Sequence, residues 1–215
     1  GQLSALLLES QQIKTHQPLY NRRLRRLSTL YTIQLHEDQQ GLLRPEIIDV
    51  HAAARTSKMY GLFAGQKKAR ETLTNTAKAF GLCDCVVTTP GPLRGPCMSR
   101  QLKRCKGLCT NDWSILQHNT ALMDALGSEA LKAWPYRGPV AIVEQQNPND
   151  NESPHTAFLL DNWCLLASAH GTGEPDWEQL KATSNNEALL DRDIYRYLVK
   201  AVLKPGKDLT LIPLQ

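Results

Sequence analysis

The run CDCVVTTPGPLRGPCMSRQLKRCKGLC, residues 83–109, holds five of the six cysteines of a 215-residue chain. Within it Cys85, Cys97, Cys105 and Cys109 follow the spacing C-x11-C-x7-C-x3-C. In a reducing compartment, cysteines grouped in this way read as metal ligands and not as disulfides. Four thiolates are the ligand set of a 4Fe–4S cluster or of a structural Zn2+. Structural zinc sites pair their ligands in knuckles about two to four residues long, and only Cys105 and Cys109 lie that close, so the spacing leans toward iron–sulfur. Lys103, Arg104 and Lys106 sit between or beside the thiols, and cations there favour the thiolate form. The segment is rich in Gly and Pro with little periodicity, so a metal or a partner must order it. Scattered loop thiols are the bland alternative, and their concentration in one window argues against it. Cys164, in the run Trp163-Cys164-Leu165-Leu166, reads as a small buried hydrophobe.

Helical spacing flanks this segment on both sides. Ala69, Leu73, Ala77 and Phe80 mark a helix over residues 66–80; Ile115, Asn119, Leu122 and Leu126 mark another over 113–131. Further out, Leu3, Leu6, Leu7 and Ile13 give an amphipathic helix over 3–16, ended by Pro18, with Glu9 at the margin of its apolar stripe. Leu30–Leu35 and Glu46–Val50 read as strands joined through Gly41. Pro139–Gln145 and Thr156–Ala169 read as a hairpin, 187–203 as a last helix, and Leu209–Leu214 as a closing strand. Trp134, Trp163 and Trp177 read as core anchors, and His118, His155 and His170 as structural or surface residues.

The charge is uneven. Residues 1–109 carry 17 Lys and Arg against 7 Asp and Glu, whereas residues 110–215 carry 8 against 14. A basic half suggests a polyanionic partner, the plain alternative being a solvated cationic surface. Four of the charges, Arg22, Arg23, Arg25 and Arg26, fall in five positions. No run approaches the roughly 18 apolar residues that span a bilayer, so no membrane partner is expected. Residues 1–14 lack the basic and apolar regions of a secretory signal, which places the expected compartment in the cytoplasm. The start at Gly1, without Met and directly in helical sequence, suggests a piece of something longer.

Two blocks resemble one family. Ala5-Leu6-Leu7-Leu8-Glu9, Ile13-Lys14 and Gln17-Pro18-Leu19-Tyr20-Asn21 resemble the end of the GIY-YIG nuclease domain of the UvrC and Cho excision-repair nucleases. Tyr60-Gly61-Leu62-Phe63, Phe80-Gly81-Leu82, Gly95-Pro96-Cys97 and Gln101-Leu102-Lys103-Arg104-Cys105, with Cys109, resemble the cysteine region that follows it. His118-Asn119, Trp134-Pro135-Tyr136, Val140–Gln145, Asn162-Trp163 and Tyr195–Leu203 look like the C-terminal region of Cho. They look still more like proteins that fuse an epsilon-type 3′–5′ exonuclease, as in DNA polymerase III, to a GIY-YIG domain. In those fusions Cys83, next to Leu82, fits the first ligand position as well as Cys85 does.

The resemblance implies an α+β chain: residues 1–26 the end of a GIY-YIG domain, 27–82 a β-hairpin and helix connector, 83–112 the metal-binding segment, and 113–215 a Cho-like C-terminal α+β domain. It implies a DNA-repair endonuclease in which one Mg2+ or Mn2+, held by Glu9, polarises the scissile phosphate. Asn21 would support the geometry of that site. Arg22, Arg23, Arg25 and Arg26, with Lys103 and Arg104, would contact DNA phosphates. A UvrB-type protein would load the enzyme, and the likeness to the fusion proteins implies an exonuclease domain upstream of Gly1 in the parent protein. The family's GIY and YIG strands are expected upstream of Gly1, so the 215-residue chain alone is expected to leave DNA uncut. A non-catalytic DNA-docking module with a structural Fe–S or Zn site is the other reading.

Overall fold

Asp38 closes the first hairpin: its Oδ1 accepts the N–H groups of Gln40 at 2.9 Å and Leu42 at 3.1 Å, while Gly41 takes φ +79°. The strands therefore run up to the turn, as β1 (Tyr31–Glu37) and β2 (Leu43–Asp49), beyond the limits that the sequence suggests. These coordinates come from a computed structural model, which describes residues 1–15, 29–52, 58–89, 91, 93, 95–145, 147, 150, 152–185 and 188–214. Pro45, with no N–H to offer, is tolerated because β2 is an edge strand. The sequence gives no sign of β3 (Met59–Phe63), which pairs with the other side of β1 to give the order β2-β1-β3. Gly61 interrupts its alternation at φ +72°, where a Cβ would collide with the Phe63 ring.

Helix α2 (Gln66–Phe80) falls where its spacing places it and buries Ala69, Leu73 and Ala77. Phe80 does not join them. It is exposed, because the chain leaves the helix at Gly81 in the left-handed conformation. Two single turns, α3 (Asp84–Val87) and α4 (Met98–Gln101), lie in the cysteine segment. Helix α5 (Ile115–Leu126) is shorter than its apolar pattern suggests, because a capping box between Ser114 and Gln117 starts it and a 3-10 turn follows Leu126. It buries His118, Leu122, Ala125 and Leu126 against Ile33, Leu42, Leu73 and Val86. Asn119 clasps the hairpin instead, donating Nδ2–H to Gly41 O at 2.7 Å and accepting Leu43 N–H at 2.9 Å. All of this lies in one compact unit, residues 26–131.

The second unit combines residues 1–25 with 132–215. Its antiparallel sheet has the order β6-β5-β4-β7, formed by β4 (Val140–Gln145), β5 (His155–Asp161), β6 (Cys164–Gly171) and β7 (Leu209–Pro213). The single strand expected over 156–169 is thus two. Asn162 at φ +47° and Trp163 at φ +66° make a tight turn of the kind that twisted hairpins prefer. Tryptophan is a rare occupant of such a turn. Here Trp163 is buried, donates Nε1–H to Lys132 O at 2.7 Å and packs edge-on against Trp134 and Tyr195.

One face of the sheet, with Val143, Ala157 and Leu159, lies under Leu180 of α6 (Trp177–Ala182), a helix the sequence does not signal. Helix α7 (Arg192–Leu203) starts five residues later than expected, at an Asp191 cap that accepts the N–H groups of Asp193 and Ile194. It packs against α1 (Gln2–Thr15), which buries Leu3 and Leu7. Cys164 is half-buried, because it sits in β6 at the edge of the sheet. No helix among the described residues is long and apolar enough to cross a membrane.

Candidate metal centre and nucleic-acid interface

Three backbone devices gather the thiols. After Gly81 turns the chain out of α2, Cys83 caps α3, its carbonyl accepting the N–H groups of Val86 and Val87. The buried Val86 and Val87 anchor that turn in the core. Cys97 caps α4 in the same way, accepting from Arg100 and Gln101 at 3.0 Å each. Gly107, at φ +88°, then folds the chain tightly enough to return Cys109 to the group; a Cβ there would lie 2.7 Å from Thr110 Oγ1.

The sulfurs of Cys83, Cys85, Cys97 and Cys109 lie within 4.8 Å of one another, and Cys105 Sγ is 4.0 Å from Cys97 Sγ. All five cysteines of the segment are free thiols. This donor set fits a thiolate-held metal centre, and both Cys83 and Cys85 are in place for the first ligand position. The cations act on the thiols less than the sequence suggests, because Lys103, Arg104 and Lys106 are exposed. Burial dominates instead. It pushes the Cys83 thiol far up and the Cys105 thiol up, and raises Cys85 to about 11. At Cys97 burial is outweighed by the Arg100 N–H and the neighbouring thiols, and the value falls. A metal entering this site therefore displaces protons.

His118 is structural, one of the two places the sequence reading allows it, and what that reading does not give is its position beside the thiols. It is fully buried, and its Nε2 accepts the Cys83 N–H at 3.3 Å while its ring meets Trp113 edge-on at 5.5 Å. Burial, and then the charge of Arg44, lower its pKa to about 4, so it serves as a neutral acceptor. The only available signal is its place in the first turn of a helix that begins right after the cysteines.

The two acidic groups beside the thiols are engaged: Ser99 donates to Asp84, and Asp112 receives Arg100 and Thr110. Lys103 and Arg104 form no ion pair among the described residues. Lys106 places its amine 4.6 Å over the Trp113 ring.

In the other unit, Glu9 is exposed on α1. The start of that helix is held by a residue the sequence leaves unremarked. Glu144 of β4, 3% exposed, accepts the N–H groups of Leu3 at 2.8 Å and Ser4 at 2.7 Å, and the Ser4 hydroxyl as well. Asn21, Arg22, Arg23, Arg25 and Arg26 lie outside the described residues.

Comparison with known proteins follows these two units. The sequence model of the UvrC/Cho excinuclease middle domain matches residues 30–128, and that of the excinuclease Cho C-terminal domain matches residues 139–215. Excinuclease cho of Escherichia coli (strain K12) and that of Shigella flexneri are each 30% identical over 211 residues, 98% of this chain and 67% of theirs. The chain belongs to the UvrC/Cho excinuclease family. UvrABC system protein C of Zymomonas mobilis is 30% identical over 164 residues, 76% of this chain and 25% of that protein. No solved structure matches. The middle domain of the family is thus the part that carries the thiol cluster, and the Cho C-terminal domain is the part that carries the four-stranded sheet.

Proposed function

We propose that the chain is the DNA-binding, metal-stabilised part of a cytoplasmic nuclease that cuts DNA phosphodiesters during excision repair. The observation that supports this is a coincidence within one family domain. Residues 58–109 hold the thiol cluster and also carry 10 Lys and Arg against 2 Asp and Glu. The cysteine centre, iron–sulfur or zinc, acts as a clip: it ties α3, α4 and the 107–110 turn into one rigid surface. A divalent ion held at Glu9, Mg2+ or Mn2+, supplies a Lewis acid at the scissile phosphate. Glu9 itself presents its carboxylate from the exposed side of α1, while Leu3 and Leu7 fix the helix from the other side. Asn21 supports that geometry. Arg22, Arg23, Arg25, Arg26, Lys103 and Arg104 neutralise backbone phosphates, so binding weakens as salt rises. A UvrB-type loading protein, and an epsilon-type exonuclease domain further upstream, belong to the same reading.

The other reading, a non-catalytic docking module, draws on Glu9 being the only carboxylate in α1. One experiment separates the two: the full-length protein is offered damaged duplex with Mg2+. Cleavage that Glu9→Gln abolishes, with DNA affinity unchanged, supports the nuclease. Cleavage that survives Glu9→Gln removes the proposed ligand, and DNA binding without cleavage by the wild type leaves the docking module. Absorbance near roughly 400 nm in protein purified without oxygen distinguishes iron–sulfur from zinc.

A further inference from the structure

Residues 98–104 form a small finger closed at its base. Cys97 precedes it and Cys105 follows it, with their sulfurs 4.0 Å apart in the thiol group. Its inner side is tied down, Ser99 to Asp84, and Arg100 to Asp112 and to the Cys105 carbonyl at 3.3 Å. Its outer side is exposed: Met98 at 69%, Leu102 at 51%, then Lys103 and Arg104. Met98 and Leu102 are one helical turn apart, joined by the Leu102 N–H to Met98 O bond at 3.0 Å, so they project on the same side.

The way the finger ends is unusual. The Arg104 N–H bonds back to Ser99 O at 2.7 Å and the Lys103 N–H to Arg100 O at 3.0 Å, the paired bonds of a Schellman ending. In that motif the left-handed position is normally glycine, and here it is Lys103, at φ +55°. A cation is kept at the tip where the backbone would accept glycine more readily.

We propose that this finger is a wedge for duplex DNA: Met98 and Leu102 enter the base stack while Lys103 and Arg104 hold the flanking phosphates. The proposal rests on the DNA-binding reading above and adds to it that the duplex is deformed. Two apolar side chains are far too few for a stable protein–protein contact, which takes about 800 Å² from each partner. One or two are enough to unstack a base step, and wedges of this kind are Leu, Met, Ile or Phe set among cations. The finger carries no acidic residue, and the nearest carboxylates, Asp84 and Asp112, are already engaged. A protein anchored at its base by a metal centre can keep such a tip rigid as the stack opens.

The test uses the full chain with its metal centre loaded and a duplex carrying 2-aminopurine, which fluoresces more strongly when unstacked. Binding of the wild type should raise the fluorescence several-fold. Met98→Ala with Leu102→Ala should remove that rise and leave the slope of log affinity against log salt unchanged. Lys103→Gly should keep the fold, because glycine suits φ +55°, and should lower that slope by about one, the value of one phosphate contact. A rise that survives the apolar substitutions overturns the wedge, and so does wild-type binding with no rise. If the wild type does not bind DNA at all, the DNA-binding reading itself fails.

Discussion

Cys83 and Cys85 compete for one place; Cys83 Sγ also lies 3.8 Å from Cys97 Sγ, and what separates the two is the deeper burial of Cys83. Their sulfurs are 3.1 Å apart, whereas two sulfurs about 2.3 Å from one tetrahedral zinc are roughly 3.8 Å apart. The shorter distance suits a thiol donating to a neighbouring sulfur, and burial pushes Cys83 toward keeping its proton. Cys83→Ala is therefore expected to retain the full metal content, while Cys105→Ser loses both metal and solubility. Metal analysis of the two variants decides, and the reverse pattern would place Cys83 among the ligands. At this scale the cluster was legible because its five thiols fall in one run. The position of His118 was not, since it reaches Cys83 from 35 residues away and only after α5 has packed.

At the scale of elements, local signals gave existence and long-range contacts gave limits. The spacing of Ala69, Leu73 and Ala77 and the glycine at 81 determine α2 by themselves. The turn at Asn162-Trp163 was hidden because tryptophan does not mark turns; its aromatic neighbours and the Lys132 carbonyl hold it there. The seating of α1 is a case of the second kind. Glu144 meets Leu3 and Ser4 across 141 and 140 positions of sequence, at a helix N-terminus whose N–H groups lack partners of their own. Burial alone would raise this carboxyl, but the Ser4 hydroxyl and the two N–H groups hold it below its ordinary value of 4.5. Its contribution is therefore complete above pH 4.5 and is lost as the pH falls through the lower folded value. Glu144→Gln should cost about 2 kcal/mol at pH 7, the order of a charge-assisted hydrogen bond, and should remove that acid sensitivity. Urea denaturation at pH 7 and pH 4 measures both. Equal losses in the variant and the wild type on acidification would mean that other carboxyls govern the transition.

Across the whole molecule, the thiols and the long-range helix cap fall in different units. The grouped cysteines all lie within residues 26–131, whereas Glu144 and α1 lie in the unit of residues 1–25 and 132–215. Sequence order concealed this second unit, whose two parts are separated by more than a hundred residues. A metal that binds only folded ligands contributes its binding free energy to the folding of the unit that holds them. Chelation should therefore act unevenly. Hydrogen exchange should quicken in α3 and α4 and in β1, on which the same core rests, because Cys83, Val86, Ile33 and Leu122 belong to one buried cluster. Protection in β4 and β5 should persist, since Ile142, Phe158 and Leu160 are buried without any help from sulfur. Mass spectrometry of exchange before and after chelation reads the two sets in one experiment. If β4 and β5 lose protection together with α3, the units unfold as one, and the metal supports the entire chain and not the cysteine-bearing unit alone.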